Sequence, residues 1–202
     1  MAGRAPKDEP TLIARAKRHD LAAFNTLVLA YQDAVFSLTY RIMGDEMSAA
    51  DATQDAFITT YRRLETYRGG NFRAWLFKIA THTCYDALRY QKRRPATALD
   101  ELADAEYDDG PPIPDPGLTP EQAVQNHELN AAIQDCINGL NAEQRLVLVM
   151  CDIEGYSYQE IADTVNTQIG TVKSRLSRAR AGMRQCLQAV AELLPAEYRL
   201  GK

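Results

Sequence analysis

Cations set beside hydroxyls and aromatic rings are the side chains of this 202-residue sequence best suited to chemistry. Residues 165–188 hold Lys173, Arg175, Arg178, Arg180 and Arg184 with no acid among them. Thr171, Ser174, Arg175 and Arg178 recur at i, i+3, i+4 and i+7, a helix face apart from the apolar stripe Ile169, Val172 and Leu176. Arginine can bond guanine O6 and N7 together, while Thr, Ser and Lys hold phosphates or make single base contacts. A second set lies upstream, with Tyr67, Arg68, Asn71 and Phe72 followed by Trp75, Lys78 and His82. Aromatic faces beside cations accept an unstacked base without strict sequence demand. For Trp75 burial in a core is an equal reading. Arg89, Lys92, Arg93 and Arg94 read as phosphate contacts, each worth about one unit of log–log salt slope.

Other chemistries lack their residues. The cysteines at 84, 136, 151 and 186 form no CxxC or CxxxC pair, and the histidines at 19, 82 and 127 are equally dispersed. No metal site, cofactor or disulfide framework is expected, only reduced thiols. No nucleophile–base motif, GxSxG or phosphate loop occurs, so an enzyme is not expected. No apolar run approaches the ~20 residues of a membrane span, and the first twenty residues lack a signal-peptide core, so a cytoplasmic chain without membrane insertion is expected.

The net charge of −4 conceals a partition. Residues 1–94 carry +5, residues 95–128 carry −9 with no Lys or Arg, and residues 129–202 balance to zero. Charges act over about 8–10 Å in physiological salt, so each local balance outweighs the total.

The elements that must position these groups read as helices throughout. Phe24, Leu27, Tyr31, Val35, Leu38 and Ile42 step at helical spacing between a capping Asp20 and a terminating Gly44. A short helix is predicted before Asp20, and further helices over Ser48 to about Leu64 and, after the break at Arg68-Gly69-Gly70-Asn71, over Phe72 to about Arg93. Residues 95–118 hold five prolines among their acids and predict an extended, flexible linker. Thr119-Pro120-Glu121-Gln122 opens a helix ending at Gly139. Asn141 opens the next, with Leu146, Val149, Met150 and Ile153 on one face. Ser157-Tyr158-Gln159-Glu160 is a capping box for a third. A turn at Asn166-Thr167-Gln168 leads to a fourth, burying Ile169, Val172, Leu176, Met183 and Leu187. A short capped helix, tight turn and second helix make a helix-turn-helix, whose second helix can enter the major groove. The fold class is all-α, with helical modules over 1–94 and 119–202 joined by the linker. Little but that linker is expected to join the modules, which should move relative to one another.

The stretch GDEMSAADATQDAFITTYRRLETYRGGNFRAWLFKIATHTCYDALRYQKRR resembles the second conserved region of bacterial sigma factors of the extracytoplasmic-function type, in the sigma-70 family. LNAEQRLVLVMCDIEGYSYQEIADTVNTQIGTVKSRLSRARAGM is similar to their fourth region. The resemblance covers about residues 20–94 and 120–190. It implies a subunit that binds core RNA polymerase, directs it to promoter DNA and helps open the strands, for a stress or envelope-signal regulon. The fourth region would read the minus-thirty-five element through Ser157, Tyr158, Gln168, Thr171, Lys173, Ser174, Arg175 and Arg178. The second region would read the minus-ten element through Arg68, Asn71, Phe72, Trp75, Lys78, His82, Arg89, Lys92 and Arg93. Asp51, Gln54, Asp55 and Phe57 would dock on the polymerase, with core packing an equal reading for Phe57. An anti-sigma protein is a further implied partner. The acidic linker is either a passive spacer or an RNA mimic within the polymerase. The alternative function is a helix-turn-helix regulator acting without sigma activity.

The chain departs from the family at Cys151, where many relatives have an arginine that can touch DNA. It departs also at Gln168, often proline, and at His82, often asparagine. Cysteine cannot replace a guanidinium, so one DNA contact is expected to be missing.

Overall fold

The computed structural model describes residues 6–93 and 120–191, with side chains over 6–92 and 128–191. The predicted linker lies outside the described residues. Eight α-helices occur among them: α1 Glu9–Ala16, α2 Leu21–Met43, α3 Glu46–Arg63, α4 Phe72–Arg93, α5 Pro120–Asn138, α6 Ala142–Leu148, α7 Tyr158–Thr164 and α8 Ile169–Ala189. No strand occurs among the described residues.

Local chemistry sets the helix ends. Asp20 accepts from the Ala23 amide at α2, Asp45 from Ser48 at α3, Asn71 from Ala74 at α4 and Asn141 from Gln144 at α6. The cap of α3 is therefore Asp45, and the helix begins two residues before the predicted Ser48. Gly44 ends α2 at a left-handed φ of 91°, which a side chain would strain.

All six residues of the predicted α2 stripe are buried. They pack against α1, α3 and α4 around Phe72, Leu76 and Leu64. By length and composition alone α2 is long and apolar enough to span a bilayer, with a mean hydropathy of 1.3 over its most apolar stretch, although charged and polar residues break its apolar run. In this fold its apolar face is the core of the first module.

In the second module α8 is the central helix, packed by α5, α6 and α7 over Ile137, Leu146, Val147, Met150, Ile161, Val172 and Leu176. Two predicted core residues are corrected here. After α6 the chain continues through a wide π turn, Val149–Ile153, in which the Glu154 amide reaches back to the Val149 carbonyl. The extra residue rotates Ile153 out to 41% exposure, so it is not in the core. Ile169, at the first turn of α8, is 36% exposed, and Ala179 extends the buried stripe instead. Met183 and Leu187 are half-buried.

Two larger expectations fail as well. Cys136 of α5 and Cys186 of α8 form a disulfide, their Cα atoms 5.6 Å apart across a separation of 50 residues. Spacing along the chain could not reveal a pair made by two packed helices. The modules, moreover, do not merely share a linker: α2 packs against α5, α6 and the π turn. Arg145 of α6 lies against Gly44, where a Cβ would collide with its guanidinium, and donates to Asn138 at 3.3 Å. The Tyr85 hydroxyl of α4 donates to the Val165 carbonyl at 2.9 Å. Glu154 is half-buried facing Arg73 and Arg41 of the first module, and burial pushes its carboxyl up.

Candidate nucleic-acid interface

Helix α8 is entered through a tightly specified turn. Ser157 Oγ accepts from the Glu160 amide while the Glu160 carboxylate accepts from the Ser157 amide at 2.9 Å, closing the capping box of α7. Asn166 takes a left-handed φ of 48°, which asparagine tolerates, and the Thr167 amide returns to the Ala162 carbonyl. Gln168 is the extended cap of α8 with no side-chain capping bond, so its exposed amide is free to face outward. Val172, Leu176 and Ala179 then anchor α8 inward.

That anchoring puts Lys173, Ser174 and Arg178 on the exposed side, with Thr171 and Arg175 half-buried. The Ser174 hydroxyl donates to the Thr171 carbonyl at 2.9 Å. Two of the five cations are already paired. Arg175 reaches Glu143 at 2.6 Å, and Arg180 makes a two-pronged contact with Asp152 at 2.6 and 2.9 Å. Among the described residues Lys173 and Arg178 carry no ion pair. Tyr158, Lys173, Arg180 and Arg184 line one shallow cleft beside α8.

On the first module Asn71, Trp75, Lys78 and His82 follow one another along a face of α4, with Arg68 exposed in the preceding loop. Trp75 and His82 are half-buried and Lys78 is exposed. Burial, with Lys78 beside it, holds the His82 imidazole below its ordinary range, so it is neutral at pH 7. Phe72 is corrected here. Its ring is 1% exposed, 5.4 Å from Tyr67, 5.8 Å from Trp75 and 5.8 Å from Tyr31, so it is the core against which Trp75 leans rather than a face open to a base. Asn71 spends its side-chain oxygen capping α4 and keeps only its amide nitrogen for a ligand. Arg89 and Lys92 are exposed on the last turns of α4, and Lys92 pairs with Glu143 at 2.7 Å. The side chain of Arg93 lies outside the described residues.

On α3 Asp51, Gln54 and Asp55 are exposed on one face. Phe57 is 8% exposed and belongs to the core, because it lies on the opposite face. Apolar residues that the sequence reading missed occupy the acidic face instead: Met47 at 79% and Ile58 at 39% exposure. Their i−4 and i+7 spacing from Asp51 was the available signal. Among the described residues no group of His, Cys, Asp or Glu has the arrangement of a metal site.

Residues 27–94 match Sigma-70 region 2, and residues 130–183 match Sigma-70, region 4. The chain is 37% identical over 186 residues to the ECF RNA polymerase sigma factor SigE of Mycolicibacterium smegmatis, covering 90% of this chain and 70% of that protein. It is 35% identical over 183 residues to the RNA polymerase sigma-H factor of Pseudomonas aeruginosa, covering 90% and 95%. In fold it is similar to the sigma factor RpoE of Bartonella quintana, solved in complex with the anti-sigma factor NepR, at a TM-score of 0.52 and 24% identity over 81% of this chain and 96% of that one.

Proposed function

This chain belongs to the extracytoplasmic-function group of the sigma-70 family and directs transcription initiation by RNA polymerase at promoters, and from that premise we propose which of its residues meet the DNA and the polymerase. Helix α8 reads the minus-thirty-five element, with Arg178, Lys173, Ser174 and Thr171 facing the groove and Arg175 joining them once freed from Glu143. Gln168 sits at the entry of that helix, and Ser157 and Tyr158 approach the flanking phosphates. Arg68, Trp75, Lys78 and His82 form the minus-ten surface, Asn71 contributing its amide nitrogen. Arg89, Lys92 and Arg93 follow the backbone. Met47 and Ile58, rimmed by Asp51, Gln54 and Asp55, dock on core polymerase, since an apolar centre inside a polar rim is how stable interfaces are built. The chain itself catalyses no covalent step and acts in the cytoplasm with core polymerase. The modules span residues 1–94 and 119–202, with 95–118 between them. Relatives of similar fold suggest an anti-sigma partner as well.

The observation that carries this reading is the exposed pair Lys173 and Arg178 on α8, without an ion pair among the described residues, on a helix-turn-helix anchored inward by Val172, Leu176 and Ala179. The test is reconstitution of the full chain with core polymerase on a randomised promoter library, scored by run-off transcription. Wild type is expected to select one promoter class. Arg178→Ala should relax selection in the minus-thirty-five region, since a bidentate arginine–guanine contact discriminates by about 1–3 kcal/mol. Trp75→Ala should leave that selection intact and impair strand opening. Unchanged selection with Arg178→Ala sinks the assignment of α8.

A further inference from the structure

One carboxylate holds a cation from each module. Glu143 stands in the first turn of α6, where the Asn141 cap fixes the backbone. Its Oε1 accepts from Lys92 Nζ of α4 at 2.7 Å, and its Oε2 accepts from Arg175 Nη2 of α8 at 2.6 Å. Both oxygens are thereby engaged, each by a side chain assigned above to DNA. The Lys92 hydrogen bond and the nearby Arg175 charge hold this carboxyl below its ordinary range, so it is ionised at neutral pH. The effect on α8 is visible in the exposures. Arg175 keeps only 25% of its side-chain surface, whereas Arg178, one turn on, is exposed. The three paired residues line a single groove between α4, α6 and α8, together with Arg89, Leu146 and Val165.

From this geometry we infer that Glu143 acts as an internal stand-in for a DNA phosphate, masking Arg175 and Lys92 while the chain is free. The inference rests on the reading of α8 as the DNA helix and adds a regulatory contact to it. Two features make the mask releasable. Exposed ion pairs are individually weak, and Glu143 offers one negative charge where a duplex offers a closely spaced series. A duplex approaching α8 competes for both cations, and its binding requires the bridge to break. Removing the carboxylate therefore strengthens the free chain's binding to any duplex, whatever its sequence.

The test uses the full chain, with an end-labelled random-sequence duplex of about 30 base pairs as the probe, read by fluorescence anisotropy at low salt. Glu143→Gln keeps the size of the side chain and removes its charge; Glu143→Ala serves as a second variant, and a thermal melt checks that each is folded. Both are expected to bind roughly three- to tenfold tighter than wild type, an advantage that shrinks as salt rises. Adding Lys92→Ala to Glu143→Gln should return part of the gain. Arg178→Ala in the wild-type background must weaken binding; if it does not, the reading of α8 itself fails and the mask falls with it. If Arg178→Ala weakens binding while folded Glu143→Gln and Glu143→Ala match wild type, the mask alone is overturned.

Discussion

At Cys84 burial pushes the thiol up to about 12, and at Cys151 burial and the adjacent Asp152 raise it as well. A thiol reacts through its thiolate, so neither is an activated cysteine. Iodoacetamide at about pH 7.5 should label Cys151 slowly and Cys84 only after unfolding, as followed by peptide mass spectrometry. Fast labelling of Cys84 in the folded chain would contradict its assigned environment. Cys151 also bears on the missing arginine. Arg180 Nη2 lies 4.0 Å from its sulfur, so a guanidinium supplied by α8 stands beside Cys151, held there by Asp152. Cation positions such as Lys173 and Arg178 were legible in the sequence because charge and helical spacing suffice to place them. Phe72 and Phe57 were not, because an aromatic residue packs equally well inward or outward and only its neighbours decide.

At the level of elements, the helix-turn-helix depends on how α7 begins. Ser157→Ala should cost about 1 kcal/mol of stability, read from denaturant unfolding, because the Glu160 amide loses its capping acceptor. Glu160 is held below its ordinary range by hydrogen bonds from Ser157. A group whose folded value is depressed stabilises above its unfolded value and loses that contribution as pH falls through the folded one. The stability difference between wild type and Glu160→Ala should therefore be present at pH 7 and vanish in acid below the ordinary glutamate range; a difference that persists there would show that the carboxylate charge is not its source. Caps of this kind are written in four consecutive residues, which is why the start of α7 was legible. The π turn Val149–Ile153 was not. Its extra residue leaves the apolar pattern intact but rotates everything after it, moving Ile153 to the surface.

Across the whole molecule, the disulfide and the packing of the modules set how tightly the parts are held. The Cys136–Cys186 bond closes a span of 50 residues, for which loop-entropy reasoning gives about 4 kcal/mol of stabilisation. Replacing both cysteines with serine should lower the melting temperature of the full chain by several degrees or more, with wild type in reductant melting alongside the double variant; equal melting of oxidised and reduced wild type would show that the bond does not constrain unfolding. By itself the sequence determined the eight helices, most of their ends, the α2 core stripe and the cationic face of α8, since all of these follow from interactions within a few residues of chain. Only the tertiary structure decided that α5 and α8 are bonded through Cys136 and Cys186, that Arg145 rests against Gly44, and that Glu143 joins Lys92 to Arg175. Those contacts link residues from 32 to more than 100 positions apart, and such pairings depend on how whole helices pack, which no local pattern encodes.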